Sequence, residues 1–529
     1  MNKKYKELTI KTISRKLRIL LYIILSLVNS AIYAQKVQPE ITVSELKSTI
    51  YVLASDSLKG RKPGTPEINK VADFIQNQFK TAGLQLAEDN GYQYFDIITG
   101  ADIGRENKLF FNGFYGKLYQ DFLPAIYSKS TFLYTKIVFV GYGISVQNNT
   151  LSWDDYKGVD VKGKWVMIFK GHPELNKPDS KFNDYSDERL KVLTATDKGA
   201  SGVLFVTPSE MDSVDNLNAF ENSRNISVAA IPVVYITRSL ADLIIRDDKH
   251  ISVTDLENTI NKSMKSQSFN LFEKILIKTD VKIRKKRTAN IVGIIEGNSP
   301  VLKNEYIVIG AHYDHLGMGG ENSGSRMPDT IAVHHGADDN ASGVAGLIEL
   351  AQKLANEKNK LKRSVVFVAF SAEEMGLLGS KYFVKNSFIK PDQIKAMINL
   401  DMIGRLNNSD RFILVSGTGT SAEAETILNE LSKKTSIKLK YSPDGYGASD
   451  HSSFYAENIP VFFLTTGAHE DYHTPMDTPD KINYQGTVQV LDFAYSLILN
   501  LINRDKPLTF KEAGSKQPEN NRGGLTVTF

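Results

Sequence analysis

The feature that most constrains the fold is an alternation of apolar runs and amphipathic patterns from about residue 290 onward. The runs Tyr306 to Ala311 and Val365 to Phe370 are almost wholly apolar, and residues 344–354 carry apolar side chains at helical spacing. Further strand-like runs are 396–400 and 461–464. Apolar strands that alternate with amphipathic helices indicate a mostly parallel sheet covered by helices on both faces. Residues 286–505 are therefore predicted to form an α/β domain.

The part of the chain before this domain has a different pattern. Thr65-Pro66-Glu67 opens a helical pattern that Gly83 closes. The N-cap residue, the first-turn proline and the terminal glycine all indicate one helix between them. Between about 105 and 285, short β-type runs alternate with turn-rich stretches and two helical patterns, without clustered metal ligands. These runs are 136–142, 164–169, 201–206 and 231–236. Since 529 residues exceed what one core usually serves, we predict a β-rich insertion over 105–285, with residues 36–104 belonging to the α/β domain.

Both ends of the chain are predicted to lie outside the folded domains. In residues 1–34, seven positive charges precede the apolar run Ile19 to Val28, followed by Ala31 and Ala34. This layout is typical of a signal peptide and predicts a periplasmic or secreted protein. A retained N-terminal anchor is the alternative, although the run is shorter than the roughly 20 residues that a membrane span needs. Residues 506–529 are polar and predict a mobile tail.

Charge and cysteine content restrict the partners. Removal of residues 1–34 takes away seven positive charges and one negative charge, which changes the formal net charge from +4 to −2. The remaining chain has no basic excess to favour nucleic acid, and we expect no stable membrane association after signal removal. The sequence contains no cysteine, so a zinc site would have to use histidine, aspartate and glutamate.

Five polar motifs occur at the ends of the strand patterns or in the turns beyond them, where open α/β sheets place their sites. The motifs are His312-Tyr313-Asp314, Gly336 to Gly343, Glu373-Glu374, Asp401 and Tyr472-His473. Each has an ordinary structural explanation when taken alone, such as a helix cap, an acidic turn or a surface histidine. Adjacent carboxylates such as Glu373 and Glu374 repel each other unless they share a cation or one holds a proton. Asp314 could fix the tautomer of His312.

Taken together, the motifs supply two imidazoles, three carboxylates that could bind metal, and one spare carboxylate. Two zinc ions that share one bridging carboxylate fit this set. Such a pair, about 3.5–4 Å apart, polarises a carbonyl group and generates hydroxide near neutral pH. The residues therefore favour hydrolysis at a two-metal centre.

The motifs and their order resemble the co-catalytic zinc metallopeptidase family that includes bacterial leucyl-type aminopeptidases, glutamate carboxypeptidase and the transferrin receptor. The resemblance covers residues 45 to 500 approximately, and it implies a zinc-aminopeptidase-like (phosphorylase/hydrolase-like) α/β fold with two Zn²⁺ per chain. It implies that Asp338 bridges the ions, with a cis peptide bond between Asp338 and Asp339. The other implied ligands are His312 and Asp401 for one ion, and Glu374 and His473 for the other.

The same resemblance implies roles for residues around the ligands. Glu373 would be the general base, and Tyr472 would stabilise the oxyanion. Asp314, Asp339 and Asp450 would lie behind the ligands. Four further histidines match no ligand of the family and are predicted to be loop or pocket-lining residues: His315, His334, His335 and His469.

The insertion resembles a protease-associated domain, through Val140-Gly141-Tyr142-Gly143 and Asp154-Asp155-Tyr156-Lys157-Gly158 followed by Gly163-Lys164-Trp165-Val166. With the ligand motifs, it implies an exported zinc aminopeptidase that acts on peptides. A carboxypeptidase, a dipeptidase or a glutaminyl cyclase on the same scaffold stays open. A receptor without activity is disfavoured, because all five implied ligands and the base are present.

Overall fold

The computed structural model describes residues 40–217 and 228–514, so the predicted signal peptide and residues 515–529 of the predicted tail lie outside the described residues. Ten α-helices occur in the described part of the chain: α1 Val43–Leu53, α2 Pro66–Thr81, α3 Glu188–Asp197, α4 Arg238–Lys249, α5 Val253–Ser263, α6 Gly343–Asn356, α7 Leu378–Asn386, α8 Ala424–Ser432, α9 His451–Tyr455 and α10 Tyr484–Asn503. Short helical turns cover Asp56–Arg61, Asn183–Tyr185, Ala337–Ser342, Lys358–Lys360, Pro391–Gln393, Thr418–Thr420 and Pro479–Lys481.

The strands of the described residues form two large sheets and one two-stranded hairpin. In chain order they are β1 Gln85–Leu86, β2 Tyr92–Ile103, β3 Lys108–Phe111, β4 Phe114–Gly116, β5 Phe122–Pro124, β6 Thr131–Val140, β7 Ser145–Gln147, β8 Ser152–Asp154, β9 Trp165–Phe169, β10 Gly202–Val206, β11 Val233–Ile236, β12 Ser268–Thr279, β13 Val281–Ile295, β14 Tyr306–His312, β15 Ser364–Phe370, β16 Ile394–Leu400, β17 Phe412–Ser416, β18 Lys438–Ser442 and β19 Val461–Thr465.

The first sheet belongs to the predicted α/β domain. Its order is β1-β13-β15-β14-β16-β19-β17-β18, and β2 pairs with β13. The central strands β15, β14, β16 and β19 are parallel, whereas β13 and β17 join this block antiparallel. The predicted α/β fold with a mostly parallel central sheet is confirmed, and the four apolar runs coincide with its central strands.

Helices cover both faces of this sheet, as the apolar strands predicted. On one face α1, α2, α6 and α10 enclose a core that includes Ile50, Ile75, Leu347 and Leu497, all fully buried. On the other face α7 and α9 contribute Phe383 and Phe454, which pack their rings 6.0 Å apart. Burial from both sides fixes the strand ends rigidly, which is the condition for a precisely built site.

The second sheet is formed by the predicted insertion. Its order is β4-β3-β12-β6-β9-β10-β11-β5, with β6, β9, β10 and β11 parallel, and it has hydrophobic clusters of its own. The long strands β2 and β13 pair antiparallel from Ile291↔Tyr92 to Val281↔Ile103 and connect the two sheets. The boundaries at 104/105 and 285/286 and the protease-associated assignment stay predictions.

Three further predictions concern helix α2, the C-terminal tail and membrane-spanning segments. Helix α2 begins after Thr65 with Pro66 in its first turn, and Gly83 follows it in a left-handed conformation (φ 83°), as predicted. Part of the predicted mobile tail packs against the domain, since the Phe510 ring lies 5.9 Å from the ring of Tyr455. Within residues 40–217 and 228–514, no helix has both the length and the apolar character required to cross a membrane.

Candidate metal centre

The candidate centre lies where three parallel strands end. His312 is the last residue of β14, Glu373 and Glu374 follow β15, and Asp401 comes directly after β16. Because the carboxyl ends of parallel strands meet at one edge, these side chains converge. The loop after β19 brings His473 to the same edge, where its Nε2 lies 3.3 Å from Glu374 Oε1.

Asp339 is at the middle of this group. Its Oδ1 lies 3.2 Å from His312 Nε2, and the Oδ1 of Asp401 lies 3.4 Å from the same nitrogen. Its Oδ2 lies 3.1 Å from His473 Nε2, on the side where Glu374 also approaches. Buried Asp339 is therefore shared by two neighbouring clusters of potential metal ligands, one with His312 and Asp401 and one with Glu374 and His315, and His473 lies against the second cluster.

The prediction that Asp338 is the bridging residue is wrong. The Oδ1 of Asp338 accepts a hydrogen bond from Gly404 N at 2.6 Å, and its Oδ2 lies 3.3 Å from His469 Nε2. The cis peptide bond joins Asp339 to Asn340, not Asp338 to Asp339. Asp339 has extended torsions (φ −102°, ψ 94°), and consecutive side chains in an extended segment point to opposite sides, so only one of the two aspartates can face the centre.

The residues fit zinc. Imidazole nitrogens and carboxylate oxygens are its usual ligands where thiolates are absent, at about 2.0–2.2 Å, so neighbouring ligands of a tetrahedral ion lie about 3.3 Å apart. The separations within the two clusters, 3.1–3.4 Å, match this spacing. Asp401 Oδ1 is buried and has no hydrogen-bond partner among the described residues, as expected for an oxygen atom that serves as a metal ligand.

Backbone carbonyls orient the two imidazoles. His312 Nδ1 lies 3.2 Å from the carbonyl oxygen of Asp314, and His473 Nδ1 lies 3.1 Å from that of Gly324, which leaves both Nε2 atoms for the centre. The expected role of the Asp314 side chain is corrected, because its Oδ1 lies 3.8 Å from His312 Nδ1. Instead, its carboxylate accepts hydrogen bonds from the backbone N of Glu373 (3.0 Å) and Glu374 (3.3 Å).

The two adjacent glutamates are electrostatically distinct. Burial raises the pKa of Glu373 well above its usual range, and the opposing effect of His312 is smaller. Burial also acts to raise the pKa of Glu374, but His473 and the hydrogen bond from His315 hold that pKa at about 2. Carboxyl groups whose pKa values are pushed apart in this way can serve as a proton carrier and as an ionised ligand, respectively.

Tyr472 and Asp450 lie at the centre, but their expected roles stay predictions. The Tyr472 ring stacks on that of His473 with 3.8 Å between centroids, and burial followed by the charge of Asp339 raises its pKa. Asp450 is fully buried, and burial raises its pKa to about 7. The direct support of Asp401 comes from Ser449, whose Oγ donates to Asp401 Oδ2 at 2.7 Å.

Sequence reasoning missed three contributors. His315 lines the cavity, as predicted, but it also contacts the candidate ligands, since its buried Nδ1 lies 3.0 Å from Glu374 Oε1 and 3.6 Å from Asp339 Oδ2. Arg61 is fully buried and donates to backbone carbonyls of both loops that carry His315 and Gly336. Ser449 carries no pattern that would single it out from the sequence as a partner of Asp401. The sequence offers no signal for Arg61, because it lies in a polar stretch between Lys59 and Lys62.

The other histidines have structural contacts. His334 Nε2 lies 2.7 Å from Ser325 Oγ, and His335 Nδ1 lies 2.9 Å from the carbonyl of Ala54, as expected for loop residues. A cavity of about 320 Å³ adjoins the centre. Glu374 and His315 line it on the side of the centre, and its other walls include Lys62, Leu316, Arg284 and Met375.

Comparison with known proteins agrees with this geometry. The model of peptidase family M28 matches residues 290–498, the segment that holds every candidate ligand. This chain carries a peptidase family M28 domain. The uncharacterized protein YfbL of Escherichia coli K12 is 33% identical over 226 residues, which are 37% of this chain and 66% of that protein.

A further relative of the M28 domain has a name that states an activity. Leucine aminopeptidase 1 of Coccidioides posadasii is 27% identical over 226 residues, 39% of this chain and 55% of that protein. The chain thus spans only part of the length of these two curated relatives, 66% of the first and 55% of the second. The structure of an aminopeptidase from Aneurinibacillus sp. strain AM-1 superposes with a TM-score of 0.50 and 22% identity, over 90% of this chain and 96% of that one, and shares its fold.

Proposed function

We propose that this protein is an aminopeptidase with two zinc ions, in which Asp339 contributes one oxygen to each ion. The observation that carries the proposal is the position of the Asp339 carboxylate between His312 and His473. The M28 match and the relatives named leucine aminopeptidase support it. His312 and Asp401 would complete one zinc site, and Glu374 and His473 the other.

When bound, the two ions would polarise the scissile carbonyl and acidify a water molecule. Glu373 would take the proton of that water at its carboxylate and later give it to the departing amine. Its raised pKa suits both steps, because a base that works near neutral pH must also be able to hold the proton. Asp314 would keep Glu373 in place through the backbone hydrogen bond at 3.0 Å.

The chain would also bind and orient the peptide. The cavity next to Glu374 and His315 has room for part of a peptide beside the centre. Tyr472, whose raised pKa keeps its hydroxyl protonated, would donate a hydrogen bond to the oxygen that becomes negatively charged. We place the peptide amino terminus at the centre on the strength of the aminopeptidase relatives alone.

Zinc analysis and a matched substrate set test the proposal. Purified protein should contain two zinc ions per chain and release p-nitroaniline from leucyl-p-nitroanilide, but not from the N-acetylated compound, which lacks the free amine. Cleavage of N-acetylated peptides with a free carboxyl terminus would instead indicate a carboxypeptidase. Cyclisation of an N-terminal glutamine with one zinc ion would indicate a glutaminyl cyclase. A protein with two zinc ions and no hydrolysis of any peptide would contradict the proposal.

We also propose export. The support is the charge and apolar pattern of residues 1–34 in the sequence, which lie outside the described residues. In a bacterial expression host, the protein should appear in the periplasm or medium, and N-terminal sequencing should find a start near residue 35. Uncleaved protein in the membrane fraction would instead support the retained anchor.

A further inference from the structure

Behind the candidate centre, Arg405 joins the two ends of the loop that carries Tyr472 and His473. Its Nη2 lies 3.2 Å from Asp471 Oδ2 and 3.0 Å from Asp477 Oδ1. These two aspartates flank the loop residues that face the centre. A single guanidinium nitrogen therefore holds this loop closed.

Asp477 connects the guanidinium to the bridging aspartate. Its Oδ2 accepts hydrogen bonds from the backbone N of Asp338 at 2.9 Å and from the backbone N of Asp339 at 3.0 Å. The Asp477 side chain is fully buried, so its charge depends on Arg405 and these two amides for compensation. The contact chain runs from Arg405 through Asp477 to the backbone of Asp339.

The segment at the other end of the loop is held in the same way. Asp471 Oδ1 lies 2.6 Å from Lys481 Nζ, and the Asp471 carbonyl accepts a hydrogen bond from Thr474 N at 3.1 Å. Between these anchors, His473 has a left-handed backbone (φ 55°), which a non-glycine residue adopts at a cost unless its surroundings impose it. The anchors around Arg405 supply that constraint.

We propose that Arg405 is a positioning residue that sets the separation of His473 from Asp339, and with it the affinity of one metal site. The inference rests on the proposed two-zinc function. The site of His473 and Glu374 depends on this loop, whereas His312 and Asp401 are fixed by the ends of β14 and β16. Both ions share Asp339, but only the site of His473 and Glu374 also depends on the loop. Loss of Arg405 should therefore weaken that ion more than the other, a difference that general destabilisation would not produce.

The test compares Arg405→Met and Arg405→Lys with Arg411→Met, a matched control whose guanidinium contacts Gln489 in α10. Zinc is titrated into metal-free protein against a competing chelator dye, and Co²⁺ absorption reports on the coordination of each ion. We expect Arg405→Met to raise the dissociation constant of one ion by about 10–100-fold, as is usual when a group that orients ligands is lost. The dissociation constant of the second ion should rise by a smaller factor, and kcat should fall while KM for leucyl-p-nitroanilide changes little.

Arg405→Lys should recover part of the affinity, because an ammonium group can reach one aspartate but lacks the guanidinium geometry. Equal weakening of both ions, or unchanged binding of both, would overturn the positioning role. If Arg405→Met does not fold, the same comparison is made with Arg405→Lys. Relative to the wild type, the dissociation constant of the ion at His473 and Glu374 must then rise by a larger factor than that of the other ion. Failure of the two-zinc proposal itself is distinguishable, because the wild type would then bind fewer than two ions.

Discussion

The two oxygens of Asp339 lie against different imidazoles: Oδ1 is 3.2 Å from His312 Nε2, and Oδ2 is 3.1 Å from His473 Nε2. Its neighbour Asp338 contacts Gly404 N and His469 instead. The pair offers a matched test in which two adjacent, buried aspartates are expected to differ in function.

Asp339→Asn should lower zinc content from two ions per chain to one or fewer, because an amide nitrogen cannot replace a ligating carboxylate oxygen. Activity should fall with it. Asp338→Asn should retain two ions, since the changed side chain lies outside both clusters. Metal analysis after gel filtration measures both variants. Loss of zinc in Asp338→Asn with retention in Asp339→Asn would contradict our assignment.

Glu373→Gln should keep both zinc ions and lower kcat by about 10²–10⁴-fold, the usual contribution of general acid–base catalysis. Glu374→Gln is the control at the adjacent position and should lose metal, because Glu374 Oε1 lies 3.3 Å from His473 Nε2 within one cluster. Steady-state kinetics and zinc analysis separate the two effects. Near-normal turnover of Glu373→Gln would remove it from the role of base.

Arg61→Met should destabilise the domain by at least about 3 kcal/mol, because three buried carbonyl oxygens and one partly buried carbonyl oxygen would each lose a charged donor. The guanidinium donates to Leu53 O and His335 O at 2.7 Å and to Tyr313 O and Gly336 O at 2.9 Å. Urea unfolding measures the change. Arg246→Met, which removes an exposed arginine 3.4 Å from Asp242, should cost less than about 1 kcal/mol.

Lys191, which lies in the predicted insertion and not at the metal centre, should make the stability of the protein depend on pH. Burial lowers the pKa of Lys191 from 10.5 to about 7, and Asp155 opposes this shift. Between pH 7 and 10.5 the unfolded chain binds a proton there that the folded chain does not, so stability should rise with pH by up to about 1.4 kcal/mol per unit. Lys191→Met should flatten this rise in urea unfolding at pH 7–10. An unchanged slope would show that Lys191 stays protonated in the fold, held by the carbonyls of Phe169 and Gly171.

The sequence by itself determined the layered α/β architecture and the residue types of the centre. Runs such as Val365 to Phe370 are apolar on both faces, and their alternation with amphipathic helical patterns favours strands buried between layers of helices. His312 and Asp401 could be found because polar residues at the ends of such strands must meet at one edge of the sheet. These features depend on local periodicity, which can be read directly from the amino-acid sequence.

Only the tertiary structure decided which aspartate bridges the two clusters. Asp338 and Asp339 are chemically identical neighbours, and the backbone torsions of an irregular turn determine which of them faces His312. The antiparallel attachment of β13 and the contacts of Arg61, His315 and Arg405 likewise depend on partners far away in sequence. Such choices follow from the packing of distant segments, which no spacing within one segment encodes.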